Sequence, residues 1–128
     1  MKLLLDTHIL LWAAGNPEKL SEKARAILLE PSNSLFFSAA SIWEVVIKQG
    51  LGRDDFKVDA QRLRKMLILN RYSELSITSE HVLRVHALPT LHKDPFDRLL
   101  IAQSLSEGML LLTVDEAVIA YQGGVLAV

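Results

Sequence analysis

The chain is 128 residues long, half of them hydrophobic, with no cysteine and a formal net charge of -1. This predicts one domain over 1–128 whose core needs no disulfides, and it excludes a thiolate metal site. A pI near 6.4 supplies no global field to gather a polyanion, so a nucleic-acid partner must be held by local groups or bound cations.

Lys2 to Asp6 reads as a short strand buried on both faces, because Leu3, Leu4 and Leu5 follow one another without a polar break. That run is too short for a signal peptide, and nothing approaches a membrane-spanning length; with the lack of cysteine this points to a cytoplasmic protein with no membrane partner. A helix from Thr7 to Ala14 is stopped by Gly15-Asn16-Pro17, and a second runs from Ser21 to Glu30 before Pro31. Leu35 to Ser38 is a second buried strand. Ala39 to Lys48 is a third helix, closed by Gly50 and Gly52, with Glu44 the one acid in its apolar body. The polar segment from Arg53 to Asn70 holds a helix capped by Asp59 and running to Leu69, whose Arg62, Arg64 and Lys65 read as a solvated face rather than an RNA track.

Glu74 to Ile77 is a weak third strand and Thr78 to His86 a short capped helix. Asp94-Pro95 then opens a helix that runs to about Glu107 and ends at Gly108, with Asp94 as N-cap and Asp97 on nearly the same side one turn on. Met109 to Thr113 is a fourth buried strand, Val114 to Ala117 starts another helix, and Gly123-Gly124 leads into a last strand, Val125 to Val128. Strands alternate with helices and no repeat or linker divides them. The fold class is therefore α/β, with a mostly parallel sheet of four or five short strands sandwiched by helices. A mean hydropathy of +0.24 is high for such a domain and predicts apolar surface covered by another chain.

Four acids fall where strands give way to helices, the place where open parallel sheets gather functional groups. Asp6 ends the first strand, Glu44 lies one to two turns into the helix after the second, Asp115 lies two residues past the fourth, and Asp97 opens the helix leading to that strand. Each taken singly has a plain role: Asp6, Asp97 and Asp115 as caps or first-turn acids, and Glu44 as partner of a buried Arg or Lys. Brought together they repel, on the order of 4 kcal/mol per pair at about 4 Å and an effective dielectric near 20. The usual resolutions are a raised pKa or a hard cation, and an all-oxygen set favours Mg²⁺ or Mn²⁺ and, through it, phosphodiester chemistry. Thr7 and Thr113 are strand-end residues whose hydroxyls can support an acid or its water. Lys93 and Arg98 flank the cluster as phosphate contacts or neutralising charges. His8, His81, His86 and His92 show no ligand spacing that also converges with an acid, and surface or helix-face roles are expected of them.

Leu3-Leu4-Leu5-Asp6-Thr7-His8, Ser41-Ile42-Trp43-Glu44, Asp94-Pro95-Phe96-Asp97-Arg98-Leu99-Leu100-Ile101-Ala102-Gln103 and Leu112-Thr113-Val114-Asp115 together resemble the PIN-domain family. Within it the chain is similar to the ribonuclease toxins of bacterial type II toxin–antitoxin pairs, the VapC group, in the branch whose third motif reads D-P-F-D-R. The resemblance implies a three-layer α/β/α sandwich. It implies that Asp6, Glu44, Asp97 and Asp115 form a catalytic quartet binding Mg²⁺ (or Mn²⁺), that Asp94 is the additional acid of this branch, and that Thr7 and Thr113 are the hydroxyl residues near the metal. The implied reaction is endonucleolytic cleavage of RNA by a metal-activated water, and the implied partners are an RNA substrate, a small cognate antitoxin and a second copy in a homodimer.

The competing reading is a catalytically weak PIN-fold module that binds RNA or protein, against which the complete quartet argues. A phospho-acceptor role for Asp6 lacks support, since neither Thr7-His8 nor Thr113-Val114 supplies the second acid or the strand-end lysine that such sites need.

Overall fold

The computed structural model describes residues 1–121 and 123–128. Five strands, β1 (Lys2–Leu5), β2 (Ser34–Ser38), β3 (Ser73–Leu75), β4 (Leu110–Thr113) and β5 (Val125–Ala127), form one sheet in the order β3-β2-β1-β4-β5. Every pairing is parallel. The described helices are α1 (Thr7–Gly15), α2 (Glu22–Leu29), α3 (Ala39–Gly50), α4 (Ala60–Leu69), α5 (Ser79–Ala87), α6 (Pro95–Glu107) and α7 (Glu116–Ile119). The expected elements are all present within a residue or two. One addition is a short 3-10 turn, Pro17–Lys19, where the sequence showed only a helix stop.

The triple leucine occupies the centre of the sheet and is fully buried. Successive strand residues face opposite ways, so Leu3 and Leu5 pack into one apolar cluster while Leu4 packs into the other. The first cluster takes Ile9 and Leu10 from α1, Ala24 from α2 and Ala60, Leu63 and Leu67 from α4. The second takes Leu100 and Ile101 from α6 and Val118 from α7. Two helical layers on one parallel sheet give the α/β/α sandwich. At roughly 1.5–3 kcal/mol per fully buried large aliphatic side chain, these leucines anchor the sheet from its first strand.

Helix starts follow the sequence closely. Ser21, Asp59 and Thr78 accept amide hydrogens of their own first turns, as do Asp6, Asp94 and Asp115. At its C-terminus α6 is stopped by Gly108, whose φ of 67° is left-handed backbone that glycine adopts without penalty. The strand order reverses at β1: β2 and β3 lie on one side, β4 and β5 on the other. The crevice over the C-terminal ends of β1 and β4 is therefore the switch point where open α/β sheets place their sites.

Candidate functional site

The pairing of β1 with β4 sets Leu5 beside Leu112, and the Asp6 amide donates to the Leu112 carbonyl at 3.0 Å. Asp6 and Thr113 thus leave adjacent strands side by side. Asp6 is 3 % exposed, and both its oxygens are engaged: Oδ1 accepts the Ile9 amide at 2.9 Å, and Oδ2 accepts the Thr113 hydroxyl. The Thr113 Oγ1 in turn accepts the Asp115 amide at 3.0 Å. Burial pushes the Asp6 carboxyl above its usual range; the hydrogen bonds from Thr113 and Ile9 pull it back in part, and the charge of Asp115 pushes it up again.

Asp97 reaches the same charge group from α6. Its carboxyl is raised to about 6, first by burial, then by the charges of Asp94 and Asp6, against the opposing pull of His92. Glu44 joins from α3 through Thr7, whose hydroxyl lies 2.8 Å from Glu44 Oε1 and 3.0 Å from Ser41 Oγ. The structure thus gathers Asp6, Asp97 and Asp115 into one repelling set, with Glu44 one hydrogen bond from the residue after Asp6.

Three placements refine the expectations. Glu44 has the basic partner that a structural role requires: Lys48, one turn along α3, sits 3.1 Å from its Oε2. Asp94 faces its own helix, where Oδ1 accepts the amides of Phe96 at 2.9 Å and Asp97 at 3.2 Å, so its cap role is present. Arg98 turns to the end of α5: Nη2 donates to the Val85 carbonyl at 3.2 Å, and Nε is buried without a hydrogen-bond partner among the described residues. Lys93 is exposed. The cations of α4 lie on an exposed face, where Arg64 pairs with Glu74 at 2.8 Å.

The histidine expectation is corrected at two positions. His92 places Nε2 2.8 Å from Asp97 Oδ2, and its amide donates to the Tyr121 hydroxyl at 3.1 Å. Together with Asp94 and Asp97 it offers ligand atoms all within 4.8 Å of one another, and this is the one such group of three among the described residues. The i,i+5 separation of His92 and Asp97 matches no helical or metal-ligand repeat. The convergence comes instead from the loop between α5 and α6, with its Pro89 carbonyl accepting the Leu91 amide, and from the distant Tyr121. His81 is buried, not on a helix surface: its Nδ1 accepts the Thr78 amide and its Nε2 meets Glu107 at 2.8 Å.

Asp94 Oδ2, Asp97 Oδ1 and Asp115 Oδ2 take no hydrogen bond from any described residue. Free carboxylate oxygens on groups whose neighbours resist ionisation are the donor set that a hard divalent cation satisfies. Asp94 and Asp97, with one nitrogen of His92, accordingly offer such an ion a close ligand set, while Asp6 and Asp115 stand outside that group of three. A groove of about 860 Å³ between α1, α2 and α4, lined by Leu20, Leu28, Leu35, Met66, Leu67 and Tyr72, carries none of these acids.

A parallel α/β/α sandwich with carboxylates at the switch point between β1 and β4 defines a class of protein. The chain belongs to the PIN domain family, whose pattern it matches over residues 3–123. No curated protein sequence is similar enough to count as a match. Among solved structures the chain is similar to VapBC2 from Rickettsia felis bound to a DNA fragment from their promoter, at 17 % identity and a TM-score of 0.71, covering 100 % of this chain and 98 % of that one. It is similar to a toxin–antitoxin complex from Klebsiella pneumoniae, at 21 % identity and a TM-score of 0.63, covering 98 % and 96 %. It is also similar to VapBC-1 from nontypeable Haemophilus influenzae, at 18 % identity and a TM-score of 0.67, covering 99 % and 98 %. At these identities the likeness establishes the fold.

Proposed function

We propose that the chain is a divalent-cation-dependent endoribonuclease of the VapC type, the toxin of a toxin–antitoxin pair, acting in the cytoplasm as a single PIN domain. The observation that carries this reading is the placement of Asp6, Asp97 and Asp115, from three separate elements, where Thr113 links Asp6 to the Asp115 amide and the charge of Asp6 opposes ionisation of Asp97 as that of Asp115 opposes ionisation of Asp6. Stability alone gives no reason to assemble such a set. Asp6, Glu44, Asp97 and Asp115 would hold Mg²⁺ or Mn²⁺, with Asp94 beside them. When bound, the cation supplies an activated water and offsets the charge of a phosphodiester.

The chain's own groups do the positioning. Thr113 and the Ile9 amide fix Asp6, Thr7 fixes Glu44, and His92 fixes Asp97. Lys93, exposed and next to Asp94 in the chain, is a phosphate contact in this reading. The Arg98 contact with Val85 favours a structural role for that residue over a phosphate contact.

The partner assignment rests on two supports. The three solved structures of similar fold named above are VapBC or toxin–antitoxin assemblies. This chain also exposes apolar side chains on α3, Val46 and Ile47, with Leu51 just past its end, and a pair on α5, Val82 and Leu83. A homodimer and an antitoxin both offer such cover. The second reading, a binding module without cleavage, is favoured by the Glu44–Lys48 pair and by the full engagement of both Asp6 oxygens, which satisfy two of the acids without a cation.

The test is cleavage of end-labelled single-stranded RNA by the purified chain freed of any antitoxin, in Mn²⁺ and in EDTA, beside Asp97→Asn. Cutting that needs Mn²⁺ and is lost in Asp97→Asn supports the enzyme. No cutting at any Mn²⁺ concentration leaves the binding module.

A further inference from the structure

Trp43 precedes Glu44, and Phe96 precedes Asp97. The two aromatic rings meet edge to face across α3 and α6, with centroids 5.1 Å apart and planes at 74°. Phe96 is partly buried, whereas Trp43 is 57 % exposed. A large ring with only two side-chain torsions, braced along one side by a second ring, is a rigid surface that loses little entropy on contact. Its position is set by the same two helix segments that carry Glu44 and Asp97.

We propose that Trp43 is a nucleobase platform, on which a base flanking the scissile phosphodiester of single-stranded RNA stacks. This rests on the nuclease reading above and extends it to the substrate's unpaired, base-exposed form. Two features favour a base over other occupants. The site is acidic and the chain carries a net charge of -1, so backbone electrostatics cannot hold the strand before a cation is in place. Stacking needs no charge and tolerates any base, which makes it the binding contribution open to such a site. The exposed apolar side chains that continue this face, Val46 and Ile47 on α3 and Leu51 just past its end, are aliphatic and offer no stacking face. Only the aromatic Trp43 is braced against the acid-bearing start of α6.

The chain has two tryptophans, so Trp12→Phe leaves Trp43 as the sole indole reporter. Titration of that protein with a ten-nucleotide oligoadenylate, in EDTA and in Ca²⁺ with strand integrity checked on a gel, is expected to quench Trp43 emission to saturation. An abasic oligomer of equal charge is expected to leave the emission unchanged. Trp43→Ala is expected to weaken oligoadenylate binding roughly ten- to hundred-fold with Mn²⁺ affinity retained, and Trp43→Phe to restore most of it. The proposal is overturned if RNA binds or is cut while Trp43 emission stays constant, or if the abasic strand binds equally well. It is also overturned if the emission instead tracks protein concentration, which would place Trp43 under a second copy of the chain. Failure to bind or cut RNA under any condition removes the nuclease reading itself, an outcome distinct from these.

Discussion

His92 Nε2 lies 2.8 Å from Asp97 Oδ2 and leaves Asp97 Oδ1 without a hydrogen bond from any described residue. One oxygen is tied and the other is presented. Partners that orient a ligand in this way are worth about 10- to 100-fold in metal affinity. His92→Ala is therefore expected to weaken Mn²⁺ binding by roughly that factor, read by calorimetry, with little change in the circular dichroism spectrum. Tyr121→Phe, which removes the hydroxyl accepting the His92 amide, is expected to have a smaller effect in the same direction.

Asp97 titrates at about 6 against an ordinary 3.8, so between those values the folded chain holds a proton that the unfolded chain has lost. The stabilisation is full below about pH 4 and is lost as pH rises through 6, on the order of 2 kcal/mol in the metal-free protein. Asp6, also raised, adds to the same trend. Melting curves in EDTA are expected to show Tm falling across this window. In saturating Mn²⁺ the ionised form is the one bound, so the gap between the Mn²⁺ and EDTA curves is expected to open with pH. A Tm in EDTA that rises steadily from pH 4 to 6.5 would contradict an Asp97 carboxyl held above its ordinary range by burial and by the neighbouring acids.

A second buried network lies away from the acids. Because the Thr78 amide donates to His81 Nδ1, the ring proton sits on Nε2 and points at Glu107, while Gln103 bridges His81 and the Ser38 hydroxyl. His81→Ala removes a fully buried side chain and leaves polar groups unpaired, and it is expected to cost about 2–4 kcal/mol in urea unfolding. Mn²⁺ affinity is expected to stay at the wild-type value.

The sheet was legible because Leu3-Leu4-Leu5 and Leu110-Leu111-Leu112 permit little except strands covered on both faces, and capping side chains marked most helix starts. The positions of Asp6 and Asp115 were legible for the same reason, since strand ends locate them. The Glu44–Lys48 pair stands in the sequence as an ordinary i,i+4 spacing, and it becomes informative once Glu44 is seen to be buried. The roles of His92 and His81 were not legible. One depends on a loop returning toward Tyr121, and the other on α5 packing against α6, and neither leaves a periodic trace.

Carboxylates gathered in this way are expected to hold a divalent cation. Calorimetric titration of Mn²⁺ into the metal-free, partner-free chain tests this most directly, with Asp6→Asn beside the wild type. Saturable binding by the wild type is expected, and its loss in Asp6→Asn, whose amide keeps the oxygen for the helix cap and removes the charge. Equal binding by both proteins, or binding by neither, would contradict this reading.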